Sequence, residues 1–257
     1  MAQTDGAQAV ARQIGRALDA LLADAPELAA LLPADYVEGA ARYAALLLDA
    51  NRRLNLTRVT APGEVARLHL LDALAALPLL DATKAAQAGT AVDLGSGGGV
   101  PGIPLAMARP ELRWVLVDSV RKKADALAGM VEALQLPNVT VVADRAELLS
   151  RDPAHRERHA LVAARACAPL PVLAELAMPL LAVGGTLLAW KGPLTGGDEE
   201  LERGTAALRE VGGGAAELRP AGLAALGGHT FVVVRKERST PQRFPRRPGE
   251  PNRRPLG

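Results

Sequence analysis

Residues 91–102 read Ala91-Val92-Asp93-Leu94-Gly95-Ser96-Gly97-Gly98-Gly99-Val100-Pro101-Gly102. A short apolar run, 90–94, ends in a cluster of glycines and is followed by Ile103-Pro104-Leu105-Ala106-Met107-Ala108, an apolar stretch of helical character. The order strand, glycine-rich turn, helix is the first unit of a doubly wound sheet. Glycine lets such a turn reverse sharply and brings bare backbone close to a ligand. Pro101 fits the first turn of the helix, where an N–H has no intrahelical partner to lose.

The spacing narrows the ligand. A dinucleotide fold wants G-x-G-x-x-G, and counting from Gly95 its third glycine falls on Val100. The chain instead reads G-x-G-x-G at Gly95, Gly97 and Gly99 after Asp93, a loop form that resembles S-adenosylmethionine enzymes. A second strand, 113–118, ends Val115-Leu116-Val117-Asp118. A carboxylate at that strand end can accept hydrogen bonds from both hydroxyls of a ribose. A third strand, 139–142, leads into Asp144-Arg145-Ala146-Glu147, which comes to the same sheet edge, where an adenine would lie.

Outward from these three strands the alternation continues. Strands are expected at 160–164, 185–190 and 230–235, and helices at 120–134, 171–181 and 198–211. Gly212-Gly213-Gly214 reads as a turn. Upstream of Gly89 there is no strand signal. Apolar residues at helical spacing occupy 7–23 and 36–54, with a further helix over 64–80. The expectation is an α/β protein of three parts: a helical cap over residues 1–84, a Rossmann-like domain over 85–238 and an irregular basic tail over 239–257.

Composition agrees. Hydrophobic residues make up 49% of 257 residues but aromatics only 2%, so the core must be built from Ala, Leu and Val. The single cysteine, Cys167, excludes an internal disulfide and is expected to be a small buried hydrophobe. No uninterrupted apolar stretch marks a signal peptide or a membrane span, so a cytoplasmic monomer is expected. Residues 235–257 hold eight basic residues against two acidic ones, whereas the chain as a whole is only +2. A basic tail on a mildly acidic body fits a polyanionic partner. Removing the tail after Ser239 is then expected to weaken binding of that partner and spare cofactor affinity. His155 and His159 have zinc-binding spacing, but the charged Arg156-Glu157-Arg158 between them reads as a solvated helix, and no metal is expected.

Read in order, the motifs resemble one family. They are Asn55-Leu56-Thr57, His69-Leu70-Leu71-Asp72, the loop extended to Leu105, Val117-Asp118-Ser119, Arg145-Ala146-Glu147, Ala164-Arg165-Ala166, Lys191-Gly192, and Thr240-Pro241-Gln242-Arg243-Phe244-Pro245-Arg246-Arg247. From about Tyr43 onward the chain resembles the bacterial small-subunit rRNA guanine-N7 methyltransferases, also called glucose-inhibited division protein B. It departs from that pattern mildly at Arg121-Lys122-Lys123-Ala124 and at Phe244, where tyrosine is common; the first forty residues carry none of the motifs. The resemblance implies a class I methyltransferase fold with a helical cap. It also implies S-adenosylmethionine as cofactor, and one guanine of 16S rRNA, guanine 527, in the naked RNA or the 30S particle, as substrate.

Carried over by motif, cofactor contacts fall at Gly95, Val100, Ala146, Glu147 and Arg165, beside Gly97 and Asp118 read from the loop itself. Arg165 and Lys191 follow later strands and are candidates to hold the base. Arg243, Arg246 and Arg247 are candidates for RNA phosphates. No residue is expected to act as base or nucleophile, because guanine N7 has a lone pair and no proton to remove. Three other readings use the same residues less completely. A small-molecule methyltransferase does not need the basic tail. An NAD(P) oxidoreductase would want glycine at Val100. A non-catalytic RNA-binding assembly factor would need neither the glycine loop nor Asp118.

Overall fold

The computed structural model describes residues 2–83, 89–192 and 199–257. Seven strands form one sheet in the order β3-β2-β1-β4-β5-β7-β6. They are β1 (Thr90–Leu94), β2 (Arg113–Val117), β3 (Val139–Val142), β4 (His159–Arg165), β5 (Leu181–Lys191), β6 (Gly213–Pro220) and β7 (Thr230–Lys236). The first five run parallel, and β7 is antiparallel to both β5 and β6. The chain order reverses between β1 and β4, which opens a crevice at the carboxyl edge there. This is the class I methyltransferase arrangement that the resemblance implies.

Among the described residues, twelve α-helical segments surround the sheet. In the cap they are α1 (Ala2–Ala23), α2 (Pro26–Ala29), α3 (Tyr36–Leu54), α4 (Pro62–Val65), α5 (Asp72–Leu74) and α6 (Leu77–Asp81). Beyond it come α7 (Gly102–Ala108), α8 (Arg121–Ala133), α9 (Ala146–Leu149), α10 (Leu170–Ala177), α11 (Glu199–Val211) and α12 (Glu250–Arg253). Period-two alternation along the strands splits the core in two. Ala91, Leu116, Leu161, Ala163 and Leu188 face the cap, α7 and α8, whereas Val92, Leu94, Val162, Ala164 and Leu187 face α10 and α11.

Several expectations need correcting. The helix expected over 64–80 is a run of short pieces: α4, a π-helical segment Ala66–Leu71, α5 and α6. The π segment carries His69, whose ring meets Arg165 at the end of β4. Gly213 and Gly214 open a strand, β6, because β7 offers them a free ladder edge. β4 and β5 start earlier than expected and α10 ends sooner. His159 opens β4, buried, instead of lying on a helix; His155 Nδ1 is 3.2 Å from its Nε2. Asp198 and the 84/85 boundary lie outside the described residues.

The tail is the largest correction, for it is docked. Lys236 at the end of β7 is fully buried, its Nζ donating to Glu157 and to the carbonyls of Met178 and Leu181. From there the chain climbs back toward the carboxyl edge. Phe244 is buried, Arg156 donates to the Thr240 and Phe244 carbonyls, and Arg246 forks onto Glu175. Glu175 is fully buried, and a buried carboxylate without a partner is strongly unfavourable, so Arg246 is held there. Most of the tail is irregular, as composition implies, except α12.

Candidate functional site

Loop 95–101 is fixed by backbone and by two carboxylates. Gly95 N and Ser96 N donate to the Val117 carbonyl, and Ser96 Oγ accepts from Val117 N while donating to the Asp93 carbonyl. Asp93 Oδ2 accepts from Gly102 N at 3.0 Å, closing the loop onto the start of α7. Pro101 is the cap residue of α7 and stands just outside its first turn. The glycines serve different ends. Gly95, Gly97 and Gly99 all have positive φ. A Cβ at Gly99 would lie 2.8 Å from Ile103 and 2.9 Å from Leu127, and one at Gly95 would strike the Cys167 sulfur. A Cβ at Gly97 would meet only the Gly95 carbonyl, at 3.8 Å, so this position borders open space. The cap props the loop from behind: Tyr43 Oη donates to the Gly98 carbonyl at 2.8 Å, and Leu47 fills the space a side chain at Gly98 would need.

Asp118 ties this loop to the next strand. Its Oδ2 accepts from Gly97 N at 3.0 Å and its Oδ1 from Val120 N at 2.8 Å. Each oxygen keeps a second lone pair toward a cavity of about 300 Å³ lined by Gly95, Asp118, Asp144, Ala146, Glu147 and Asn252. Glu147 is buried; burial works against its charge, but Arg145 and the Gly249 N–H outweigh it and hold the carboxyl below its usual range. Gly249 and Asn252 belong to the docked tail, so the tail forms one wall of this cavity.

A second cavity, about 540 Å³, lies beside it, and the two share Ala166, Cys167 and Ala168 as a common wall. Ala166 has φ +51, a strained conformation for alanine, at the turn that leaves β4. Here three of the sequence motifs meet. Arg165 Nη1 donates to Asp72 Oδ2 at 3.0 Å and to the Leu68 carbonyl, and its Nη2 approaches His69 Nδ1 at 3.1 Å. His69 Nε2 is 2.8 Å from Thr57 Oγ1. Nδ1 is also 3.1 Å from the Leu68 carbonyl, so both ring nitrogens have partners within the protein. Burial, then the Arg165 charge, pushes His69 down to about 4, which keeps the ring neutral. Asp72 Oδ1 takes Nδ1 of His229 at 2.9 Å, and the Asp72 carbonyl accepts from Trp190 Nε1.

Residues 37–210 match the model of the rRNA small subunit methyltransferase G family. Proteins named ribosomal RNA small subunit methyltransferase G are similar over most of the chain. The one from Deinococcus deserti is 44% identical across 93% of this chain and 96% of its own. That of Deinococcus radiodurans is 44% identical across 87% of each, and that of Halalkalibacterium halodurans 42% across 83% and 88%. The chain belongs to this family.

Within the chain the candidate residues divide. Gly95, Asp118, Ala146 and Glu147 meet at the smaller cavity, with Gly97 bonded to Asp118. Val100 instead packs its side chain into the core. Arg165 stands in the larger cavity, engaged with the cap, rather than in the smaller one. Lys191 also lines the larger cavity, but its Nζ pairs with Glu200 and donates to the Ala168 carbonyl, holding the shared wall in place. Arg246 is taken up by Glu175, whereas Arg243, stacked on Phe244, and Arg247 are exposed. Cys167 is not the buried hydrophobe expected: it opens onto both cavities. Protein packed around the rest of the thiol, with Asp93 and Asp118 near it, pushes it up to about 11. Tyr43, His229 and Asn252 were not singled out from sequence, and His69 and Asp72 stood in a quoted motif without a role, though they form an i, i+3 polar pair in an apolar run. Among the described residues no group of three metal-binding side chains exists, and no helix is long and apolar enough to cross a membrane.

Proposed function

We propose that this protein transfers a methyl group from S-adenosylmethionine to N7 of one guanine of 16S rRNA, at the family's position 527. One observation supports this best: two adjacent cavities share loop 166–168, one built for a nucleoside and the other walled by base-sized apolar and polar groups. The residues fit the cofactor. Gly97 leaves room for close approach, Asp118 offers two free lone pairs to a ribose, and Asp93 Oδ1 is buried with no partner among the described residues. When bound, the cofactor supplies a methyl group already activated on its sulfonium.

What remains for the protein is alignment. Guanine N7 is an acceptor with no hydrogen, so its lone pair can attack directly once the base lies along the shared wall. The side chains agree with a reaction that needs no base. His69 has both ring nitrogens engaged within the protein, and the Cys167 thiol, pushed up to about 11, is not a thiolate at neutral pH. That argues against the cysteine-nucleophile route of carbon methylation. Exposed Arg243, Arg247, Arg253 and Arg254, on the docked tail near the cofactor cavity, supply phosphate contacts that orient the RNA or the 30S particle. The protein acts as a cytoplasmic monomer in this reading. Mass spectrometry of 16S rRNA from cells with and without the gene tests it. The expected result is loss of one N7-methylguanine; unchanged rRNA in the deletion strain would overturn the assignment.

A further inference from the structure

The larger cavity runs along the carboxyl edge of the sheet, from the 166–168 loop after β4, past Lys191 at the end of β5, to His229 just before β7. The cofactor cavity lies over the β1-β2-β3 side. His229 is therefore at the end farthest from the methyl donor. Resting on the guanine reading above, a base whose N7 faces the shared wall points its other end at His229. In guanine the group farthest from N7 is the exocyclic 2-amino group, a hydrogen-bond donor.

Among the described residues, the side chains around the cavity leave one matching nitrogen or oxygen acceptor. Asp72 has Oδ2 bonded by Arg165 and Oδ1 by His229, and with its side chain only 4% exposed its remaining lone pairs are shielded from the cavity. His69 uses Nδ1 for Arg165 and Nε2 for Thr57. Arg165 and Lys191 have no acceptor atoms, and Trp190 Nε1 is bonded to the Asp72 carbonyl. His229 remains. A carboxylate only accepts, so the hydrogen between His229 and Asp72 sits on Nδ1, and in the neutral ring Nε2 is then a bare lone pair. Nε2 has no protein partner among the described residues, and the side chain is 35% exposed at the cavity. We propose that His229, oriented by Asp72, accepts a hydrogen bond from the 2-amino group of the target guanine and so selects guanine over bases lacking that group.

Two substitutions separate the roles of the ring. His229→Asn keeps a donor toward Asp72 and removes the acceptor at the Nε2 position, whereas His229→Gln places an amide oxygen within reach of that position. Each is measured with 30S particles reconstituted from 16S rRNA bearing guanine or inosine at the target, inosine lacking only the 2-amino group. Wild-type protein is expected to prefer guanine about tenfold in kcat/KM, the worth of one hydrogen bond. His229→Asn should lose about tenfold on guanine and nothing further on inosine, and His229→Gln should regain part of the preference. Cofactor affinity by calorimetry should match wild type in both. Where turnover is too slow to time, competition binding of the two particles supplies the same ratio. A guanine preference undiminished in His229→Asn, or absent in wild type, overturns the inference. Wild-type protein that methylates neither particle overturns the underlying function instead.

Discussion

At the scale of single residues, the glycine loop divides between a ligand and the fold. Gly97→Val should abolish cofactor binding in calorimetry while leaving the circular dichroism spectrum intact, with only the left-handed backbone cost of about 1–2 kcal/mol on stability. Gly99→Ala should do the reverse: its Cβ would collide with Ile103 and Leu127, so the melting temperature falls and any loss of binding follows from that. His69 gives a pH dependence. Its ring is held down to about 4 when folded and returns to about 6.5 when unfolded, so between these values the unfolded chain binds the extra proton. Stability from this group is complete above about pH 6.5 and is lost as pH falls toward 4. Denaturant titrations at pH 7.5 and 5 should show wild type losing about 1–2 kcal/mol more than His69→Asn. Equal losses would mean the ring is not shielded by Arg165 and burial.

At the scale of elements, the parts built by local pattern were legible and the parts built by partners were not. β1, the glycine turn, α7 and β2 follow from apolar runs, glycine and Asp118, all within a few residues of one another. β6 did not, because three glycines look like a turn until β7 lies alongside. Its opposed Glu217 and Arg219 then keep that exposed edge from further pairing. The docked tail was illegible for a related reason. Arg246 looks like a phosphate ligand in sequence, and only the fold brings the buried Glu175 to it. Arg246→Ala should therefore destabilise the protein by about 3 kcal/mol, because it strands that carboxylate. Combining it with Glu175→Gln should recover much of the loss in a thermal melt. Removal of everything after Ser239 should weaken cofactor binding by calorimetry, against the sequence expectation, since Asn252 and the Gly249 N–H go with it. Cofactor affinity at the wild-type value would show that the tail is no part of that wall.

At the scale of the whole molecule, the charge asymmetry survives docking in reduced form. Lys236 and Arg246 are withdrawn into the interior, while Arg243, Arg247, Arg253 and Arg254 stay in solvent. Phosphate contacts release counterions, so methyl transfer to 30S particles should fall steeply as salt rises. Arg247→Glu with Arg253→Glu should lower the rate and flatten that slope, and an unaltered slope would place the RNA on another face. The docked tail also has a consequence in the order of synthesis. Residues 246–252 are made after everything they complete: Glu147, Glu175 and the whole sheet. A nascent chain can fold its cap and strands as they emerge. It cannot close the cofactor cavity until translation has passed Asn252. Halted chains ending before that residue should be folded yet hold cofactor poorly, so methyl transfer would begin only after the tail has docked.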